Sequence, residues 1–167
     1  MEPKIKQKRT KSPEQALASL MRLCARAEKS TGDARRLMRG WGVEPAAQER
    51  VLQKLIELRF IDDERYAAAF VREKCALSGW GAYKIRAALQ RKGIGSDLID
   101  RATGAIDRKQ SEEKLLGLLQ RKARTAKAAT PYELRTKLMR YGLSLGYEYE
   151  TVADRVSELI KKLFKIY

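Results

Sequence analysis

Three arginines recur in one setting. Arg35, Arg86 and Arg135 each follow an apolar residue (Ala34, Ile85, Leu134) and precede another three positions on (Met38, Leu89, Leu138). A glycine closes each pattern, at Gly42, Gly93 and Gly142. The chemistry open to such a set is recognition, because a guanidinium offers a planar fork of donors that meets a phosphate or carboxylate with two bonds. Other cations stand around them. With Arg36, Arg72, Lys84, Arg91, Lys92, Lys137 and Arg140 they form the candidate set for contact with a partner or with DNA.

Covalent chemistry lacks its usual groups. The chain has no histidine, which excludes His-based general-base catalysis and a Ser-His-Asp triad. Its two cysteines, Cys24 and Cys75, lie in apolar helical patterns at equivalent places of the repeat and are read as small buried hydrophobes. Without His or a Cys cluster, transition-metal sites lose their common ligands. Neither a G-x-x-x-x-G-K-[ST] phosphate loop nor a G-x-G-x-x-G turn occurs. No catalytic residue, no metal site and no cofactor is expected, and the protein is read as a non-enzyme.

The elements that position these residues are helices. The three glycines lie 51 and 49 residues apart, a period that marks a helical array. Within each pattern the apolar pair shares one helix face, the Arg points away, and the glycine is expected to end the helix in a left-handed conformation. Ser12-Pro13-Glu14-Gln15 opens a first helix to about Lys29, burying Ala16, Leu20, Leu23, Cys24 and Ala27. Ser30 to Asp33 opens the short helix that ends at Trp41-Gly42. Pro45 starts a third, with Val51, Leu52, Leu55, Ile56 and Leu58 inward. Asp62 and Asp63 are expected to cap the next helix, which carries Tyr66, Ala69, Phe70 and Val71 to Leu77. Ser78 to Gly81 breaks the chain before the second short helix, and Trp80 there is expected to be at least partly exposed. Ser96 or Asp97 starts a helix to about Ile106, and Ser111-Glu112-Glu113 caps the one after it. Thr130 to Glu133 reads as a capping box, followed after Gly142 by a linker from Ser144 to Tyr149 and a last helix. The fold class is all-α: three tandem three-helix repeats in an elongated, curved array.

Charge is uneven along that array. The net charge is +15. Residues 1–60 carry 14 Lys/Arg against 7 Asp/Glu, residues 61–107 carry 8 against 7, and residues 108–167 carry 14 against 7. A basic balance of this size favours a polyanionic partner. Residues 1–11, with Lys4, Lys6, Lys8, Arg9 and Lys11, lack hydrophobic periodicity and read as a disordered basic arm. That stretch also lacks the apolar run of a secretory signal, and no apolar run approaches the roughly 18 residues of a membrane span, so a cytoplasmic location is expected.

Phe60-Ile61-Asp62-Asp63-Glu64-Arg65-Tyr66-Ala67, followed by Gly79-Trp80-Gly81 and Ile85-Arg86-x-x-Leu89-x-x-Lys92-Gly93-Ile94, resembles the central signature of the RecX family. The plan of repeats at 12–60, 61–107 and 108–167 is similar to that family's, with the middle repeat the best match. The resemblance implies a modulator of the RecA recombinase. Such proteins bind RecA–DNA filaments along their groove, suppress ATP hydrolysis and strand exchange, and need no cofactor. It also implies DNA contact that is weak or made through the filament, and a monomer with no membrane partner. In that setting the near-neutral middle repeat would make the more protein-like contact, and the basic outer repeats would meet phosphate or acidic patches.

Two other readings stay open on the residues alone. One is a helical DNA-binding architectural or transcriptional protein that acts without a recombinase, using its short helices as groove readers. The absence of asparagine removes the usual adenine-reading side chain and counts against sequence-specific readout. The other is a structural or RNA-associated helical protein whose charge serves solubility.

Overall fold

The structure, a computed structural model, describes residues 10–165. Lys4, Lys6, Lys8 and Arg9 of the expected arm lie outside them. Among the described residues are nine α-helices and no strand. They are α1 (Pro13–Arg26), α2 (Thr31–Gly40), α3 (Pro45–Glu57), α4 (Asp63–Glu73), α5 (Ala82–Arg91), α6 (Ser96–Gly104), α7 (Arg108–Thr125), α8 (Pro131–Ser144) and α9 (Tyr149–Phe164). A π turn, Lys74–Ser78, follows α4. The fold is all-α, and in chain order it gives three helices to each repeat.

Local chemistry sets most helix starts. Ser12 Oγ accepts the Gln15 amide at 3.2 Å while Gln15 Oε1 accepts the Ser12 amide at 3.0 Å, with Pro13 at the first helical position. Ser30 and Asp33 form the same reciprocal box on α2. On α8 the box is displaced: Thr130 accepts the Glu133 amide, but the Glu133 carboxylate accepts from Ala129 rather than from Thr130.

Several boundaries differ from the sequence reading. The first helix stops at Arg26, because Ser30 must be extended to cap α2 and Ala27 has already turned extended. The helix expected to reach Leu77 widens into the π turn after Glu73. There the Trp80 amide donates back to the Lys74 carbonyl, and Gly79 closes the turn in the left-handed region. α6 ends at Gly104, short of Ile106. Asp107, not Ser111, caps α7 by accepting the Gln110 amide at 2.9 Å, so Ser111 lies inside the helix.

The chain divides into two compact units. Of the described residues, the first comprises 10–67 and 90–98. Its core joins Ala16 and Leu20 of α1, Ala34 and Met38 of α2, and Ala47, Val51, Leu52 and Leu55 of α3, closed by Val43 and Ile61. The inward face of α3 is Ala47, Gln48, Val51, Leu52 and Leu55, a spacing that turns Ile56 and Leu58 to solvent against expectation. Ala27 is likewise exposed, and Leu23 and Cys24 are half-buried. Full burial of a leucine such as Leu20 or Leu55 contributes roughly 1.5–3 kcal/mol.

Of the described residues, the second unit comprises 68–89 and 99–165. In it α7, α8 and α9 pack pairwise around Leu115, Leu119, Leu134, Leu138, Leu145, Tyr147, Val152, Val156, Leu159 and Ile160. Gly142 does not end α8. It is buried in the last turns of that helix, and a Cβ there would lie 2.6 Å from a Val152 methyl, so its work is to let α9 approach. The left-handed glycine of the third repeat is Gly146, with φ +90°, matching Gly42 at +69° and Gly93 at +76°. The cause is length: α8 has 14 residues, whereas α2 and α5 have 10 each. The residue after each turn glycine, Val43, Ile94 or Tyr147, is buried.

Candidate partner-binding surfaces

Arg35, Arg86 and Arg135 are each the fifth residue of their helix and each reaches the next helix of its own repeat. Arg35 holds both carboxylate oxygens of Glu49 on α3, at 3.1 and 3.3 Å. Arg86 holds the Asp100 carboxylate and the Thr103 hydroxyl on α6. Arg135 donates to the Ser157 hydroxyl on α9 at 2.8 Å. The fork is used within the repeat, as a clasp between helices. Exposed ion pairs such as Arg35–Glu49 are worth about 0–1 kcal/mol, so these partners exchange readily.

In the first unit two further candidates, Arg36 and Lys92, converge on Asp33. This buried carboxylate takes Arg36 at 2.6 Å, Lys92 at 3.1 Å and the Ser30 amide at 3.2 Å. The Ser30 hydroxyl completes the link by donating to the Lys92 carbonyl at 3.1 Å. Burial alone would raise the carboxyl's pKa; the Ser30 amide, Arg36 and Lys92 outweigh it and hold the group below its ordinary value. Lys92 is therefore largely an internal counter-ion. Arg91 is exposed. Asp62 accepts the Arg65 amide and caps its own helix, whereas Asp63 crosses to α2 and takes the Thr31 amide and hydroxyl at 2.8 and 2.7 Å. Tyr66 is buried. Arg65, not among the candidates, binds Glu28 at 2.7 Å and the Arg59 and Phe60 carbonyls.

In the second unit Trp80 is half-buried, with the Phe70 ring edge-on at 6.3 Å between centroids and the ammonium groups of Lys84 and Lys74 at 4.6 and 5.3 Å from its ring. Lys84 is thus spent partly on a cation–π contact. Tyr147 donates to the Gly79 carbonyl at 3.0 Å, and Lys114 donates to that of Ala76 at 2.9 Å, which pins the π turn. Burial pushes the thiols of Cys24 and Cys75 up, away from thiolate reactivity. Arg72 lines a cleft of about 490 Å³ with Cys75, Asp107 and Lys114.

Lys137 and Arg140 sit elsewhere in that unit, in an open cleft of about 550 Å³ between the end of α7 and α8. Lys122, Lys127, Thr125, Tyr141 and Ser144 complete the lining. Lys122 and Lys127 escaped the candidate set because they carry no repeat motif. The available signal was compositional: residues 121–140 hold seven Lys/Arg and a single acid, Glu133.

Comparison with known families bears on what such surfaces serve. Residues 62–102 match the second three-helix domain of RecX, and residues 110–154 match its third, together just over half of the chain. The chain belongs to the RecX family. A regulatory protein RecX from Clostridium botulinum (strain Eklund 17B / Type B) is 34% identical over 128 residues, covering 75% of this chain and 58% of the relative. One from Clostridium perfringens (strain 13 / Type A) is 28% identical over 84% of this chain and 66% of its own. The chain thus spans a little over half to two thirds of the length of these RecX relatives. The crystal structure of RecX from Lactobacillus salivarius shares the fold with a TM-score of 0.77 at 20% identity, over 88% of this chain and 96% of that one. A second RecX crystal structure aligns with a TM-score of 0.79 at 23% identity, over 90% and 73%. Among the described residues, no helix is long and apolar enough to cross a membrane.

Proposed function

We propose that this chain is a regulatory protein that binds RecA–DNA filaments and restrains recombinase ATP hydrolysis and strand exchange. The observation that supports the reading is the match of consecutive segments to consecutive RecX three-helix domains. Charge is compatible with it: a net +15 suits a groove containing DNA and acidic protein surface. The repeats at 12–60, 61–107 and 108–167 act as linked modules. Moderate contacts made by each then sum to high affinity, because the second and third engage at the effective concentration set by the first. Restraint requires only that the bound protein favour one filament state over another. The protein acts as a cytoplasmic monomer, without cofactor, and as a binder rather than an enzyme.

RecA-catalysed, single-strand-dependent ATP hydrolysis is the direct test, with the purified protein titrated in beside a DNA-only binding control at equal salt. Inhibition at protein concentrations well below that of RecA, with weak binding to bare DNA, is the expected result. Unchanged hydrolysis together with tight binding to bare duplex would move the protein to the architectural DNA-binding reading.

A further inference from the structure

We propose that the cleft between α7 and α8 is a binding site for the phosphodiester backbone of single-stranded DNA. Lys122, Lys127, Lys137 and Arg140 converge there, and no carboxylate lines it. Elsewhere four of the candidate cations are spent inside the protein: Arg35 on Glu49, Arg36 and Lys92 on Asp33, Arg86 on Asp100. None of the four in the cleft has an ion pair among the described residues. Like charges gathered without an acid repel one another, and an anion from outside relieves that repulsion.

Helix electrostatics accounts for only part of the cluster. Lys122 stands in the last turn of α7, where the helix dipole favours a cation. Lys137 and Arg140 stand in the body of α8, where it does not. Lys137 additionally donates to the Lys127 carbonyl, which holds the loop cation beside the helix cations. The composition points to a strand of phosphates rather than an acidic protein. Three of the four groups are lysines, point charges on flexible stems that follow a mobile backbone, whereas a fixed carboxylate is met best by the planar fork of arginine. The hydroxyls of Thr125 and Ser144 also line it, each donating to a carbonyl of its own helix, those of Lys122 and Tyr141. Tyr141 puts an aromatic ring there, with the Lys122 ammonium 5.4 Å from its centroid. Cations interleaved with an aromatic suit a single strand, whose base faces are free.

The inference rests on the filament reading for its setting, but its test does not depend on RecA. A fluorescently labelled oligothymidylate is titrated with the full chain by anisotropy across a salt series. The same is done with a cleft variant (Lys122→Gln, Lys127→Gln, Arg140→Gln) and a control that removes equal charge from the first unit (Arg39→Gln, Arg50→Gln, Lys54→Gln). Unchanged melting and circular dichroism establish that both variants fold. The expected result is a loss of about tenfold or more in the cleft variant alone, with its log K against log salt slope shallower by about 2, three lost contacts at about 0.7 each. Equal losses in the two variants would mean diffuse charge and overturn the site. So would competition by polyglutamate as effective as by unlabelled oligothymidylate, or tighter binding to duplex that depends on the same residues. A wild-type protein that binds the oligonucleotide through the cleft yet leaves RecA hydrolysis untouched would remove the filament reading and keep the site. Inhibition of RecA without cleft-dependent binding would do the reverse.

Discussion

Asp33 shows how a residue placed for one helix comes to serve two segments. Its amide and carboxylate complete the box with Ser30, and the same carboxylate holds Arg36 and Lys92. Because its folded pKa lies below the ordinary carboxylate value, its contribution to stability is fully present above the unfolded pKa, near 4, and is lost as pH falls through the folded value. No side chain of this histidine-free protein has an ordinary pKa between about 5 and 8, so the melting temperature is expected to be flat there and to fall in acid. Asp33→Asn should lose about 1–3 kcal/mol at pH 7, by leaving Lys92 without its counter-ion, and should soften the acid decline. Thermal melts of both proteins from pH 3 to 8 check this; parallel acid limbs would contradict it. The start of α2 was legible at Ser30 to Asp33 because capping is local, though the reciprocal bonds of the box were not read there. Lys92 was legible only as a cation: its partner lies 59 positions away in the sequence, and nothing nearby signals the pairing.

At the scale of elements, the third repeat carries the lesson. Tyr141-Gly142 looks like Lys92-Gly93 in sequence, but α8 continues for one more turn and passes the left-handed role to Gly146. Composition could not show this, because a buried glycine that admits a neighbouring helix and a glycine that ends a helix are the same letter. The helix count and most helix starts were readable, since caps and apolar spacing are local. The π turn was not, because the contacts that hold it come from Tyr147 and Lys114 far along the chain. The two glycines should differ under substitution. In Gly142→Ala the new methyl meets the Val152 side chain, costing about 1–3 kcal/mol, and Val152→Ala in the same protein should return part of it. In Gly146→Ala the new methyl meets the Lys84 backbone at 2.5 Å with φ at +90°, so trimming side chains should return nothing. Denaturant melts of the single and double variants separate the two cases; rescue of both or of neither would refute the assignment.

For the whole molecule, the sequence repeats and the compact units do not share boundaries. The first unit contains the first repeat, then residues to 67, and then residues 90–98 of the middle repeat. That last stretch brings the Lys92 ammonium to Asp33 and the Lys92 carbonyl to Ser30, while Asp63 has already bonded Thr31. A fragment ending at Phe60 therefore loses partners of three residues at the start of α2: Lys92 for Ser30 and Asp33, and Asp63 for Thr31. Such a fragment should be less protected at the Thr31, Asp33 and Ala34 amides than the full chain under hydrogen exchange, and equal protection would contradict this. The same feature bears on how the protein is made. As the chain leaves the ribosome, its first repeat is complete as sequence well before it is complete as structure, because the segment that closes the start of α2 is synthesised about thirty residues later. During that interval the nascent α2 is open to whatever binds unfinished helices, and the middle repeat sets when the interval ends.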